Sequence, residues 1–463
     1  MRTIKIWSLA VVILILLFPL LLPAQKSTPE SAYLALTNAT LIDPAREMRQ
    51  TNITVLIRDE RIIAVSPDGE QVVPDDAHVI DLEGRYLIPG LIDSHTHLSN
   101  LFRQARGSPL PFDPSRETLY AELERMLYSG IVATRDMAGD ARIFGKAVYN
   151  ILSGERNGPD VHFAAVMGGR HFMTTDPRIA WASPGYPAGQ APWLQMVEAG
   201  DDLPLKVARA AGTGASAIKF YIGVEVDLLK ALTAEAHRQE LKVWAHAVVF
   251  PNRPIDVVRA GVDVISHTCG LVWQDADLNP ADFLEVTAEN RPRIDPDQID
   301  PDNPEMTALF EEMVRRGTVF DATLWAHSRP GGSVAGCTPE LAIALVSAAH
   351  QAGVTIAAGT DFYTPEDEDY PALHLELERL VDSGVMTPNE ALIAATANGA
   401  RALDREEDYG TIEPGKLASL VVLDEDPTKD IRALRSVVSV VKRGEIYLRT
   451  DYGSLSDVDT GAK

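Results

Sequence analysis

Two histidines spaced i, i+2, His95 and His97, close the apolar run LIPGLIDSHTHLSN between Leu87 and Asn100. Side chains two apart on a strand share a face, and same-face imidazoles at a strand end form a natural metal pair. Polar residues at a sheet edge would look the same, so ligands at other strand ends decide between the readings. Lys219 lies inside AIKFYI, His246 closes LKVWAH, His267 follows VDVIS and Asp361 follows VTIAAGT. A lone strand histidine is usually a satisfied core residue, and a lone aspartate before a loop is often a helix cap. A lysine in an apolar strand must find a partner or lose its charge. Six such residues at equivalent ends of five strands argue for a shared centre. Three to four imidazoles with a carboxylate suit zinc or a similar divalent ion, which brings the pKa of a water towards neutrality. Two such ions roughly 3.5–4 Å apart need a bridging anion. A lysine ammonium cannot bridge, but its carbamate with CO₂ can, which gives Lys219 a reason to lie inside a strand. Asp361 beside cations should stay ionised and is the catalytic candidate, taking a proton and passing it to a departing amine.

The elements that must position these residues follow from periodicity. Eight apolar strand candidates alternate with helical segments: GLIDSHTH, GIVATRDM, VHFAAVMGG, SAIKFYIG, LKVWAHAV, VDVISHTC, TVFDATLW and VTIAAGTD. The intervening SRETLYAELERMLYSG, VDLLKALTAEAHRQE and TPELAIALVSAAHQAG are helical, and several such segments end in Gly. Eight units predict an α/β fold, a (β/α)₈ TIM-like barrel with its active site at the C-terminal strand ends. Hairpin-rich β patterns before and after it, such as NITVLIRDERIIAV and GTIEPGKLASLVVLDED, predict one small β-sandwich domain built from both chain ends. The expected boundaries are β-sandwich at 32–90 and 405–450, barrel at 91–404 and a polar tail at 451–463. Long connections after strand three (Gly169 to Leu203) and strand six (Leu271 to Asn303) should shape a substrate site.

The bulk properties limit the partners. The 463 residues carry a formal charge of -24, which disfavours nucleic acid and leaves a small molecule as the expected partner. Homo-oligomer formation stays open. Cys269 and Cys337 are the two cysteines; they form no disulfide framework, Cys269 falls in a predicted strand, and both are expected to be free. Residues 1–24 combine Arg2 and Lys5 with an apolar block from Trp7 to Leu22, the pattern of a signal peptide or uncleaved membrane anchor. Export to the periplasm or beyond is expected, with membrane anchoring as the alternative.

The ordered set His95-x-His97, Lys219, His246, His267 and Asp361 resembles the amidohydrolase superfamily in its binuclear form. LIPGLIDSHTHL, GIVATRDMAG, WAHAVV, AAGTD, ALIAATANGARAL and GTIEPGKLASLVVLDEDP also fit that family. The resemblance spans roughly Ala32 to Leu448 and is greatest to the imidazolonepropionase-like and Xaa-Pro dipeptidase-like branch. It implies two divalent ions, zinc being the first choice. His95 and His97 would bind the more buried one, His246 and His267 the other, with N6-carboxylated Lys219 bridging. Asp361 would bind the first ion and handle the proton. The implied activity is hydrolysis of an amide-type C–N bond, as in a dipeptide or N-acyl amino acid. A lactone or organophosphate ester is the alternative within the same chemistry. Deamination is disfavoured, because family deaminases lack the bridging lysine and carry a Glu where this chain has Val249. A non-catalytic binding relative would be expected to lose ligands, and none is missing. His171, in GGRHFMTT, and Tyr221, two residues beyond Lys219 and thus on its face, are the substrate-binding candidates, with Arg170 as a weaker partner for a substrate carboxylate.

Overall fold

The computed structural model describes residues 33–98, 116–275, 277–285, 294–328, 336–361, 364 and 368–453. The N-terminal signal or anchor segment lies outside them, and no helix of the described residues is long and apolar enough to cross a membrane. All eight strand candidates fold as strands. Five strands precede the barrel: β1 (Tyr33–Asp43), β2 (Met48–Arg58), β3 (Arg61–Pro67), β4 (His78–Asp81) and β5 (Tyr86–Pro89). The barrel follows with β6 (Leu91–Thr96), β7 (Ile131–Asp136) and β8 (Asp160–Gly168). An excursion then carries β9 (Gln190–Ala191) and β10 (Leu194–Met196). The barrel resumes with β11 (Ala217–Phe220), β12 (Lys242–His246), β13 (Val264–Ser266), β14 (Val319–Asp321) and β15 (Ile356–Ala357). The chain ends with β16 (Leu420–Leu423), β17 (Val437–Lys442) and β18 (Glu445–Leu448).

The barrel strands pair in parallel in the order β6-β7-β8-β11-β12-β13-β14-β15. The ring is closed by Ser94 N donating to Ala358 O (3.1 Å), and by Thr360 N and Asp361 N donating to His95 O (3.1 and 2.9 Å). Residues on both faces of these strands are buried, the interior side by the barrel and the outer side by helices. That is why the strands read as near-continuous apolar runs. The helices begin where their caps dictate. Asn303 accepts from Met306 N at 2.7 Å and Thr338 from Leu341 N at 3.2 Å, each before a Pro, and Thr387 with Glu390 forms a reciprocal capping box.

The two chain ends meet in one sheet. β16 pairs antiparallel with β5, which pairs with β1, so residues over 300 apart become neighbours. These strands enclose a second apolar core that includes Leu36, Leu41, Ile53, Val55, Leu420 and Val422.

One expectation is overturned. Cys269 and Cys337 are not free but form a disulfide, with Cα atoms 5.8 Å apart and 68 residues between them in number. Cys269 also lies beyond its strand, in a 3₁₀ segment Thr268–Gln274. Two cysteines so far apart in the chain carry no local pairing signal. The barrel brings the exit of β13 against the start of the helix Pro339–Gln351.

Candidate metal centre

His95, His246, His267 and Asp361 reach the same end of the barrel from β6, β12, and the exits of β13 and β15. His97 follows β6, and Lys219 lies within β11. The sequence-predicted ligands therefore converge, as their positions required. Asp361 is central: its Oδ1 lies 3.0 Å from His97 Nε2 and 3.3 Å from His95 Nε2, and its Oδ2 3.6 Å from His267 Nδ1. His95, His267 and Asp361 bring one donor atom each within 4.8 Å of one another. The His246 ring lies 4.6 Å from that of His267. His267 and Asp361 both adopt positive φ (79° and 51°), conformations that cost energy and recur at functional sites.

The electrostatics fit a cation. Burial pushes the His97 imidazole down to about 4 and holds His246 and His267 well below the usual range, which leaves neutral rings with lone pairs for a metal. Burial alone would raise the Asp361 carboxyl, but His267 and the bonds to His95 and His97 outweigh it and keep the group ionised. Lys219 is fully buried; burial brings its ammonium down to about 8, and its Nζ donates to Ser266 Oγ at 2.8 Å. Burial works against the charged form of His95 as well, but Asp321 outweighs it and pushes that ring up; three neutral imidazoles, His95 and a carboxylate are donors that suit a divalent ion.

Several positioning residues escaped the sequence reading. Asp321, the last residue of β14, meets His95 Nδ1 at 2.5 Å and thereby aims Nε2 at the centre. Histidine–carboxylate pairs of this kind fix the tautomer and ring orientation of metal ligands. The signal was present, since TVFDATLW carries an acid at an apolar strand end just as TIAAGTD does. Asp93 accepts from His95 N (3.2 Å), Thr360 N (3.2 Å) and Thr360 Oγ1 (3.0 Å), tying β6 to the turn that carries Asp361. Gly359 is required there. A Cβ would fall 2.3 Å from Asp321 Oδ1 and 2.7 Å from His95 Cβ. Glu376, buried and pushed up to about 8 by burial, accepts from Leu324 N and Trp325 N and secures the chain beyond Asp321.

The substrate candidates divide. Tyr221 is buried with its ring 4.4 Å from that of His246, edge to face, as its shared face with Lys219 predicts. His171 is exposed on the helix Arg170–Thr175, whose buried residues are Phe172, stacked on Tyr221 at 4.9 Å, and Met173. The inward side of the helix is thus taken by Phe172 and Met173, which leaves His171 outside. Arg170 is exposed and held by Glu198 at 2.8 and 2.6 Å. A cation that does act on the centre through space is Arg178, on the next short helix. Its charge acts on His246, Tyr221 and Asp361, and Asp176 accepts from its Nε at 2.8 Å.

The amidohydrolase family model matches residues 308–447. An imidazolonepropionase of Symbiobacterium thermophilum is 25% identical over 434 residues, covering 84% of this chain and 89% of that protein. Residues 308–447 are thus similar to the amidohydrolase family, and the matches support a hydrolase acting on carbon–nitrogen bonds. The solved structure of a Xaa-Pro dipeptidase with bound methionine matches with a TM-score of 0.68 at 20% identity, covering 90% of this chain and 100% of that one. A molinate hydrolase matches with 0.69 at 20% identity, covering 93% and 99%. Those two likenesses concern the fold.

Proposed function

We propose that this chain is a metal-dependent amidohydrolase that cleaves the amide bond of a dipeptide or N-acyl amino acid. The observation that carries the reading is the convergence of four histidines, Asp361 and buried Lys219 at one end of the barrel. His95, His97 and Asp361 would hold one divalent ion, and His246 and His267 a second, zinc being the first choice. When bound, such ions supply a nucleophile at neutral pH and a Lewis acid for the carbonyl. Lys219 would join the two as its N6-carbamate. Its lowered pKa favours the neutral amine that must attack CO₂. Asp361, ionised at neutral pH, takes a proton and delivers it to the departing amine, which leaves easily only when neutral. Tyr221 would orient the carbonyl oxygen. Arg178, whose Nε and Nη2 are held by Asp176, would favour a substrate with a free carboxylate through its positive charge.

The test is a screen of metal-loaded protein against dipeptides, N-acyl amino acids, their carboxamides, lactones and phosphotriesters, with metal content measured alongside. The reading expects about two ions per chain and turnover of the free acids above their carboxamides. Turnover confined to lactones or phosphotriesters would overturn it. Lys219→Ala should lose metal and activity together, and a short carboxylic acid should restore part of both. Full loading and rate in that variant would remove the bridging role.

We further propose export of the mature chain, supported by the basic-then-apolar start and by the Cys269–Cys337 disulfide, a bond that persists in oxidising compartments.

A further inference from the structure

A second cavity, of about 270 Å³, opens at the opposite end of the barrel from the metal centre. It lies where β8 begins (Asp160, His162) and where the chain enters β11 (Gly214, Ser216). Arg405, after the last barrel helix, and Arg443, in the β17–β18 turn, complete its polar wall. The other wall is apolar: Val148, Ile151 and Leu152 from the helix Ala141–Leu152 face Phe163. Leu152, which lines the cavity, is 59% exposed.

The charges here do not balance. Arg443 is satisfied, with Nε 2.8 Å from Asp160 Oδ2 and Nη1 2.8 Å from Glu60 Oε2. Lys442 also takes Asp160, at 3.0 Å. Arg405 is exposed and has no carboxylate partner among the described residues; its guanidinium donates to the Asp404 carbonyl at 3.4 Å. Behind Ser216 lies Arg135, fully buried, which donates to the carbonyls of Ala402 (3.1 Å) and Leu403 (2.9 Å) and to Ser216 Oγ (3.3 Å). His162 Nε2 is buried and has no hydrogen-bond partner among the described residues. A chain with a formal charge of -24 thus keeps an uncompensated guanidinium and an orphaned imidazole nitrogen on one wall of a hollow. Of the two, only the His162 nitrogen is both buried and unmet, which costs about 1–3 kcal/mol, so a ligand that supplied its partner would be favoured.

We infer that this basal cavity binds a small organic carboxylate with an apolar body. Arg405 takes the charge, His162 donates a hydrogen bond, and the hydrocarbon lies along Val148, Ile151 and Phe163. One uncompensated cation matches a monoanion. The apolar wall selects a hydrocarbon-bearing acid over a hydrated inorganic ion, and the volume suits a ligand of about a dozen heavy atoms, at the small end of ligand pockets.

Isothermal titration of the metal-loaded enzyme with 3-phenylpropionate, 3-phenylpropanamide and inorganic phosphate tests the inference. Arg405→Gln and Gly145→Leu serve as variants. Gly145 lines the cavity, and a Cβ there meets nothing within 4 Å, so a leucine has room to plug it. Saturable binding of the acid is expected, with the amide and phosphate much weaker. Arg405→Gln should weaken the acid about tenfold or more, and Gly145→Leu should abolish binding. Both variants should keep the parent hydrolytic rate, which shows an intact fold and metal centre. No saturable binding of the acid, equal binding of the amide or of phosphate, or an affinity unchanged in both variants would each overturn it. The last outcome would place the acid elsewhere, as at the metals.

Discussion

Two carboxylates at strand ends divide the work at the centre, and substitution separates them. Asp361 lies among the imidazoles and carries the proposed proton transfer. Asp361→Asn should cost on the order of 10²–10⁴-fold in turnover, the scale of general acid–base catalysis, while much of the metal remains. Retained metals with the parent rate on an amide would remove Asp361 from the mechanism. Asp321 lies outside that ring and acts through His95 Nδ1. It accepts a hydrogen bond from the imidazole, so Asn in its place keeps the shape but weakens the interaction. Asp321→Asn should reduce metal affinity by about 10–100-fold, read by competition with a chelator, and excess metal should restore most of the rate. A rate that stays low at saturating metal would give Asp321 a part in the reaction itself.

At the level of elements, the segments leaving the strands carry the site, and covalent and stacking contacts hold them. The disulfide ties the 3₁₀ segment Thr268–Gln274, two residues beyond His267, to the start of the helix Pro339–Gln351. Closing a loop of 68 residues removes chain entropy from the unfolded state worth about 4 kcal/mol. Replacing both cysteines by serine should therefore lower the melting temperature by several degrees, with a matching loss on adding reductant to the parent. An unchanged melting temperature on reduction would show that the bond contributes nothing to stability. The excursion after β8 is held by packing, with Phe172 stacked on Tyr221. Gly169 is needed there, because a Cβ would fall 1.7 Å from Gly223 O, so the exits of β8 and β11 can touch only as bare backbone.

Across the whole molecule, β5–β16 pairing joins the two chain ends within the terminal sheet, and charge joins that sheet to the barrel. Asp160 starts β8 and is buried, yet Lys442 and Arg443 outweigh the cost of burial and hold its carboxyl below the usual range. Tyr409 also donates to it. Removing that charge leaves Lys442, itself only 5% exposed, without its partner. Asp160→Asn should cost about 3–5 kcal/mol, the range for breaking a buried pair from one side, measured by denaturant unfolding. The sign with pH follows: a group with a depressed folded pKa adds stability above its unfolded pKa and loses it as pH falls through the folded value. Its contribution is thus complete at neutral pH and disappears in acid. The proposed export is tested by fractionation and N-terminal sequencing, with a mature start near Gln25. The full chain found soluble in the cytoplasm with two free thiols would sink it.

The eight strands, the gathering of His95, His97, Lys219, His246, His267 and Asp361 at one end, and the link between the chain ends were legible in the sequence. Buried parallel strands need long apolar runs, and an ionisable residue at the end of such a run stands out against them. Lys219 and Asp361 were conspicuous for that reason, and Asp321 carried the same signal unnoticed. Direction and partnership were not legible. Whether His171 or Phe172 turns inward depends on the set of a six-residue helix against Tyr221. That Arg178 acts on the centre while Arg170 is tied to Glu198 depends on how the same excursion folds back. The disulfide and the basal cavity join residues far apart in number. Local pattern fixes which side of a strand a residue takes. Contacts across the barrel depend on the closure of the whole ring, and only the tertiary structure supplies that.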